Sequence, residues 1–230
     1  MRDALERCAD PTRAIGMQRY MKSAMPYRGV TSPVLREACR SVFGQFALAS
    51  EDDWRTTIRA LWDEAAYREE RYAALELVGY RRYAAYRTMQ ALPLYEQLIV
   101  SGAWWDLVDG LATHEVGDLL RRYPVEMRGQ LPAWSRGDDM WLRRSSIICQ
   151  VSFKRSTDQA LLYACIEPSL GERDFFLRKA IGWALREYAK SEPEAVRSYV
   201  AEHADQLSGL SRREALKYVP PRLQSAPASA

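Results

Sequence analysis

Histidine is nearly missing from this 230-residue chain: there are only two, His114 and His203, and neither sits in a metal-ligand pattern. Cysteine is sparse too. Cys8, Cys39, Cys149 and Cys165 show no Cys-x-x-Cys spacing, so no zinc site, disulfide framework or other metal centre is expected, and no organic cofactor is implied. No run approaches the about 18 apolar residues needed to cross a bilayer. The opening Met1-Arg2-Asp3-Ala4-Leu5-Glu6 has no apolar stretch of the kind a secretion signal requires, so the expected location is the cytoplasm, with no membrane partner. Alternating strand patterns bounded by turns are absent as well, which removes β-sandwiches, barrels and doubly wound sheets from consideration.

What is present is helical periodicity almost throughout, as in Trp54-Arg55-Thr56-Thr57-Ile58-Arg59-Ala60-Leu61-Trp62, and enough apolar residues (47%) to bury a sizeable core. The expected class is therefore all-α. Turn and start signals cut the chain into many short helices: Thr31-Ser32-Pro33, Ser50-Glu51-Asp52-Asp53, Leu92-Pro93, Tyr123-Pro124, Ser135-Arg136-Gly137-Asp138, Glu167-Pro168, Ser191-Glu192-Pro193 and Ser208-Gly209. A fixed offset of 36 residues aligns Arg68 through Leu75 with Trp104 through Leu111, Met140 through Ile147, and Phe176 through Trp183. A helical period of this length is what a solenoid of stacked helix pairs looks like in sequence. One repeat domain over 1–219 is expected. The tail over 220–230, rich in Pro, Ala and Ser, is expected to be disordered.

Two features suggest a ligand. In Trp104-Trp105-Asp106-Leu107-Val108-Asp109, Trp105 and Asp109 are four residues apart and share a helix face. An aromatic plane beside a carboxylate suits a flat, positive, sugar-linked group. In the 36-residue register Trp105, Asp109, Arg144 and Trp183 fall in equivalent segments of three repeats, which would bring their helices side by side on a shared concave surface. Residues 119–155 are locally basic by five charges: Arg121, Arg122, Arg128, Arg136, Arg143, Arg144, Lys154 and Arg155 stand against Glu126, Asp138 and Asp139. A solvated face or the footprint of a polyanion such as duplex DNA would both give such a cluster.

These residues, in this order, resemble the AlkD family, bacterial HEAT-like-repeat DNA glycosylases that remove N-alkylated purines. The resemblance runs over roughly residues 15–219. It is carried by Arg19-Tyr20-Met21-Lys22, Arg59-Ala60-Leu61-Trp62-Asp63, Trp104 through Asp109, Trp141-Leu142-Arg143-Arg144, Lys179 through Lys190 and Ser211 through Lys217. It implies a HEAT-like solenoid with a concave DNA-binding face, acting as a monomer on double-stranded DNA that contains alkylated purines. By the same resemblance Asp109 is the catalytic carboxylate, Trp105 and Trp183 wall the site, Tyr20 lines it and Arg144 holds backbone phosphate. Arg143, Lys154, Arg186 and Ser32 are further phosphate candidates. The other tryptophans, Trp54, Trp62, Trp104, Trp134 and Trp141, are read as structural, and Asp106 as a motif position without the catalytic role.

The chemistry agrees with a single acid. An alkylated purine nitrogen makes the base cationic, so it leaves neutral and needs no second carboxylic acid to protonate it; one carboxylate can stabilise the oxocarbenium-like sugar. No lysine occupies the Asp109 position, so strand cleavage through a Schiff base has no evident nucleophile. The implied activity is a monofunctional glycosylase for 3-methyladenine and 7-methylguanine that holds the lesion in the duplex. Two alternatives stand beside it: a relative specialised for bulky adducts in self-resistance, and a non-catalytic binder of DNA or protein. The chain departs from the family pattern at Val30-Thr31-Ser32-Pro33, usually Gln-Thr before the proline, and at Tyr218, often His.

Overall fold

Starting from the start signals, helices can be followed one by one along the chain. A computed structural model describes residues 1–220; the last ten residues of the tail lie outside the described residues. Within them the structure is all helix, without strands. The helices are α1 (Arg2–Arg7), α2 (Pro11–Met21), α3 (Ser32–Gln45), α4 (Glu51–Asp63), α5 (Arg68–Val78), α6 (Leu92–Gly102) and α7 (Trp105–Gly110). They continue with α8 (Gly117–Arg122), α9 (Pro124–Arg136), α10 (Met140–Ile148), α11 (Gln159–Ile166), α12 (Phe175–Ala189), α13 (Pro193–Glu202) and α14 (Gly209–Ala215). Short 3₁₀ turns at Arg81–Tyr86, Met89–Ala91, Lys154–Ser156 and Glu167–Ser169 join them, and a π-helical turn, Leu111–Val116, leads from α7 into α8.

The starts are chemically legible. Ser50 and Asp53 cap α4 reciprocally as a capping box. Pro33, Pro93, Pro124 and Pro193 occupy first-turn positions of α3, α6, α9 and α13, where a missing N–H costs nothing. Asp139, Asp174 and Ser208 accept backbone N–H bonds at the starts of α10, α12 and α14.

Contacts group the chain into two compact units, Met1–Leu111 and a second beginning at Ala112. In the first, α4 packs on α5 and α6 on α7, while α5 also touches α3 on one side and α7 on the other. In the second, α9 and α11 back α10, α13 backs α12, and α12 lies between α10 and α14. The helices α3, α5, α7, α10, α12 and α14 begin at residues 32, 68, 105, 140, 175 and 209, so successive starts lie 34–37 residues apart. That spacing is the repeat expected from the 36-residue register, and it marks the fold as a helical-repeat solenoid.

The core of the first unit is large and apolar. Trp54 and Trp62 are fully buried with Ile58, Leu77, Tyr95, Leu98, Ile99, Leu107 and Val108. Both indoles are satisfied: Trp54 Nε1 donates to Leu77 O at 3.2 Å and Trp62 Nε1 to Ser101 Oγ at 2.9 Å. Trp134 and Trp141 are buried in the second unit. Among the described residues no helix is long and apolar enough to cross a membrane.

Candidate active site

Of the seven tryptophans, four lie in the core; Trp104, Trp105 and Trp183 alone keep part of their surface in solvent. Trp104 is the residue before α7, in extended backbone at φ −155°, and Trp105 is the first residue of the helix. Asp109 follows one turn later, half-buried, next to the passage into the π-helical turn. Breaks of this kind in α-helical hydrogen bonding are frequent at functional sites.

The same short helix separates its two carboxylates. Asp106 is almost entirely buried and is gripped by Arg68 of α5: Nε reaches Oδ2 at 3.1 Å and Nη2 reaches Oδ1 at 2.5 Å, a two-pronged pair. Tyr72, one turn further along α5, donates its hydroxyl to Asp106 Oδ2, and shares a 2.8 Å hydrogen bond with the Tyr27 hydroxyl. Burial, followed by the negative charge of Asp106, pushes the Tyr72 phenol far above its ordinary range, so it stays protonated and can keep donating. Burial opposes the charge on Arg68, but its hydrogen bonds to Asp106 and the carboxylate charge outweigh that and raise its pKa. Asp106 is thus a structural anion, neutralised in place.

Arg68, Glu69 and Glu70, the first three residues of α5, are all buried despite their charge. The Glu69 carboxylate, with no exposed surface, accepts backbone N–H bonds from Arg28 (2.9 Å), Gly29 (2.8 Å) and Val30 (3.1 Å). Glu70 accepts from Ala66 N at 2.9 Å and pairs with Arg28 at 3.2 Å. Gly29 permits the turn these bonds hold: its φ is +82°, and a Cβ there would lie 2.1 Å from Asp10 O. The turn delivers Ser32 to the start of α3 with its side chain exposed.

The remaining candidates lie as follows. Tyr20, on the last turn of α2, is 75% exposed, which is unusual for so large a ring. In the second unit Arg144 of α10 is buried and donates to Phe176 O at 2.6 Å, while Arg143 reaches Pro168 O (3.2 Å), Ser169 Oγ (3.0 Å) and Glu172 (2.8 Å). Arg143 therefore pins the segment ahead of α12. Lys154 is exposed, in left-handed backbone at φ 55°, next to exposed Arg155. Nearby, the Arg121 guanidinium stacks over Phe153 at 3.9 Å and donates to Ser152.

Trp183 projects from the middle of α12 with Lys179 one turn before it and Arg186 one turn after. Both cations pair with Glu214 of α14, Lys179 at 3.6 Å and Arg186 more closely, and Arg186 also lies 3.5 Å from Glu187. Close approach of the two helices depends on Gly182, where a Cβ would stand 2.7 Å from Glu214 Cβ and 3.2 Å from Ser211 Cα. Glu214 was not among the residues expected to matter; its partners lie 28 and 35 residues earlier, out of reach of any local pattern.

Comparison with known proteins follows the same line. The family model described as DNA alkylation repair enzyme matches residues 1–219. No curated protein matches the chain. Among solved structures, one titled as a predicted DNA alkylation repair enzyme from Enterococcus faecalis is similar at 26% identity, with a TM-score of 0.78, over 92% of this chain and 96% of that one.

Proposed function

The chain belongs to the DNA alkylation repair enzyme family, and from that membership we propose that it is a monofunctional DNA glycosylase acting on cationic N-alkylated purines in duplex DNA. The observation that carries this reading is the division of labour on α7. Asp106 is charge-paired with Arg68 and hydrogen-bonded by Tyr72, and Asp109 is paired by helix geometry with the partly buried Trp105 one turn earlier.

In the reaction the bond between C1′ and the purine nitrogen breaks with its electron pair moving onto the base. The alkylated ring, cationic before, leaves neutral. Positive charge grows on the sugar, where the Asp109 carboxylate stabilises it and orients a water toward C1′. The water oxygen forms the new bond, its proton passes to solvent, and an abasic site and a free alkylpurine remain. The face of Trp105 lies against the positive sugar and base, contributing about 1–2 kcal/mol when desolvated; Trp183, in the second unit, is a separate aromatic candidate for DNA contact. Such a site needs no pocket for an extruded base, and the lesion stays in the duplex.

Phosphates are held by Lys154 and Arg144, by the exposed start of α3 at Ser32, and by Arg186 exchanging Glu214 for a phosphate oxygen. Tyr20 supplies an exposed aromatic edge for contact with DNA. Arg143 supports from behind through the segment before α12.

The test is release of 7-methylguanine and 3-methyladenine from methylated duplex DNA by the wild-type protein and by Asp109→Asn, with DNA affinity measured alongside. A loss of about 100-fold or more in the single-turnover rate, with affinity kept, is expected from removal of one preorganised electrostatic group. Equal rates for the two proteins would overturn the assignment, and no release by wild type would direct the same assay to bulky adducts.

A further inference from the structure

The α7 helix carries both Trp105 and Asp109, and a buried carboxylate on it is tied to α5. It is six residues long, and its N-cap residue makes no side-chain cap bond. Leu107 and Val108 bury one side of it, which fixes depth more than rotation, because apolar contacts are not directional. Asp106 adds directional contact, touching α5 through Arg68 and Tyr72. We propose that Tyr72 and Arg68 are positioning residues for the glycosylase site, setting the rotation of α7 and hence the reach of Asp109 to the sugar. This inference rests on the reading of Asp109 given above.

The argument is geometric. Asp106 and Asp109 are three residues apart, so their directions differ by only about 60° around the axis, and a shift of one carries the other with it. A carboxylate stands roughly 5–6 Å from a helix axis, so a rotation of about 10° displaces it by ~1 Å. A displacement of that size in a reacting group can cost about 100-fold in rate. Tyr72 is the more informative of the pair. Its hydroxyl lies between Asp106 and Tyr27, and Tyr27 is buried one residue ahead of the turn that Glu69 holds by its backbone N–H groups. Through residues 68, 69 and 72, α5 therefore anchors two segments that the proposed function uses, the start of α3 at Ser32 and the start of α7 at Trp105.

Tyr72→Phe removes one oxygen and keeps the packed ring. The expected result is a fall of roughly 10-fold or more in the single-turnover rate constant for 7-methylguanine release by the folded enzyme, with DNA affinity near wild type and a thermal midpoint lowered by a few degrees. A merely structural hydroxyl would lower the midpoint or the active fraction and leave the rate constant of the folded enzyme alone. Asp106→Asn, which weakens the Arg68 clamp from the other side, should lower the same rate constant while binding persists. A Tyr72→Phe rate constant within twofold of an active wild type would overturn the positioning role and leave the Asp109 assignment standing. A wild type that releases no alkylated base would overturn both.

Discussion

Removing the buried Glu69 carboxylate tests how the first unit holds its shape. In Glu69→Ala the backbone N–H groups of Arg28, Gly29 and Val30 lose their acceptor, and water has no direct route to a side chain with 0% exposure. Each orphaned buried donor costs about 1–3 kcal/mol, so the loss for the three should total roughly 3–9 kcal/mol. Against an ordinary stability of about 5–15 kcal/mol that is a large fraction. For a chain of this size each kcal/mol moves Tm by about 2–4 °C, so a drop of about 10 °C or more is expected. Glu69→Gln keeps one acceptor oxygen but turns an amide NH₂ toward the donors, and should fall between the two. The assay is thermal and urea unfolding followed by tryptophan fluorescence, with amide exchange read at residues 28–30, whose protection should collapse before that of α4. DNA affinity should fall too, because the turn delivers Ser32. A Glu69→Ala protein melting within about 2 °C of wild type would refute the reasoning.

Two other outcomes follow from the structure. Gly29→Ala forces a side chain into a φ of +82° and to within 2.1 Å of Asp10 O, so it should destabilise the first unit by about 2 kcal/mol or more in the same unfolding assay. Burial pushes the thiols of Cys39 and Cys165 up to about 12, and that of Cys149 well above 9.0, while Cys8 is half-buried. Iodoacetamide at pH 8 should therefore label Cys8 in the native protein and all four only after unfolding, as counted by mass spectrometry. Because the native thiols keep protons that the unfolded chain releases, their contribution to stability is complete below about pH 9 and is lost as the pH rises toward 12.

The fold was readable because its punctuation is local. Proline in a first turn, serine or aspartate before an apolar run, and a charged or aromatic block recurring every 36 residues are all visible in short windows, and helices begin where those signals stand. The π-helical turn at Leu111–Val116 gave no such sign, since Leu111, Ala112 and Val116 continue an unbroken helical pattern. Around the candidate site, Trp105 and Asp109 could be picked out from their spacing and motif. Their supports could not, because Arg68, Glu69 and Glu70 look like an exposed helical face until a carboxylate and a turn some 40 residues away are brought against them. Arg143 and Arg186 illustrate the same limit: their charge is evident, whereas their engagement with Glu172 and Glu214 depends on how neighbouring helices meet.

Five of the polar links described above share one property: each joins a residue to another about one helix pair away. Glu69 reaches back 40 residues to Gly29, Arg68 forward 38 to Asp106, Trp62 forward 39 to Ser101, Arg143 forward 29 to Glu172, and Arg186 forward 28 to Glu214. A chain fastened in this way behaves under tension like a row of latches. Pulled from its ends, it would yield one pair at a time, each release lengthening the molecule by a similar step while the pairs beyond it stay closed. Such stepwise compliance would let one end loosen while α7 stays clamped to α5 through Asp106 and Arg68.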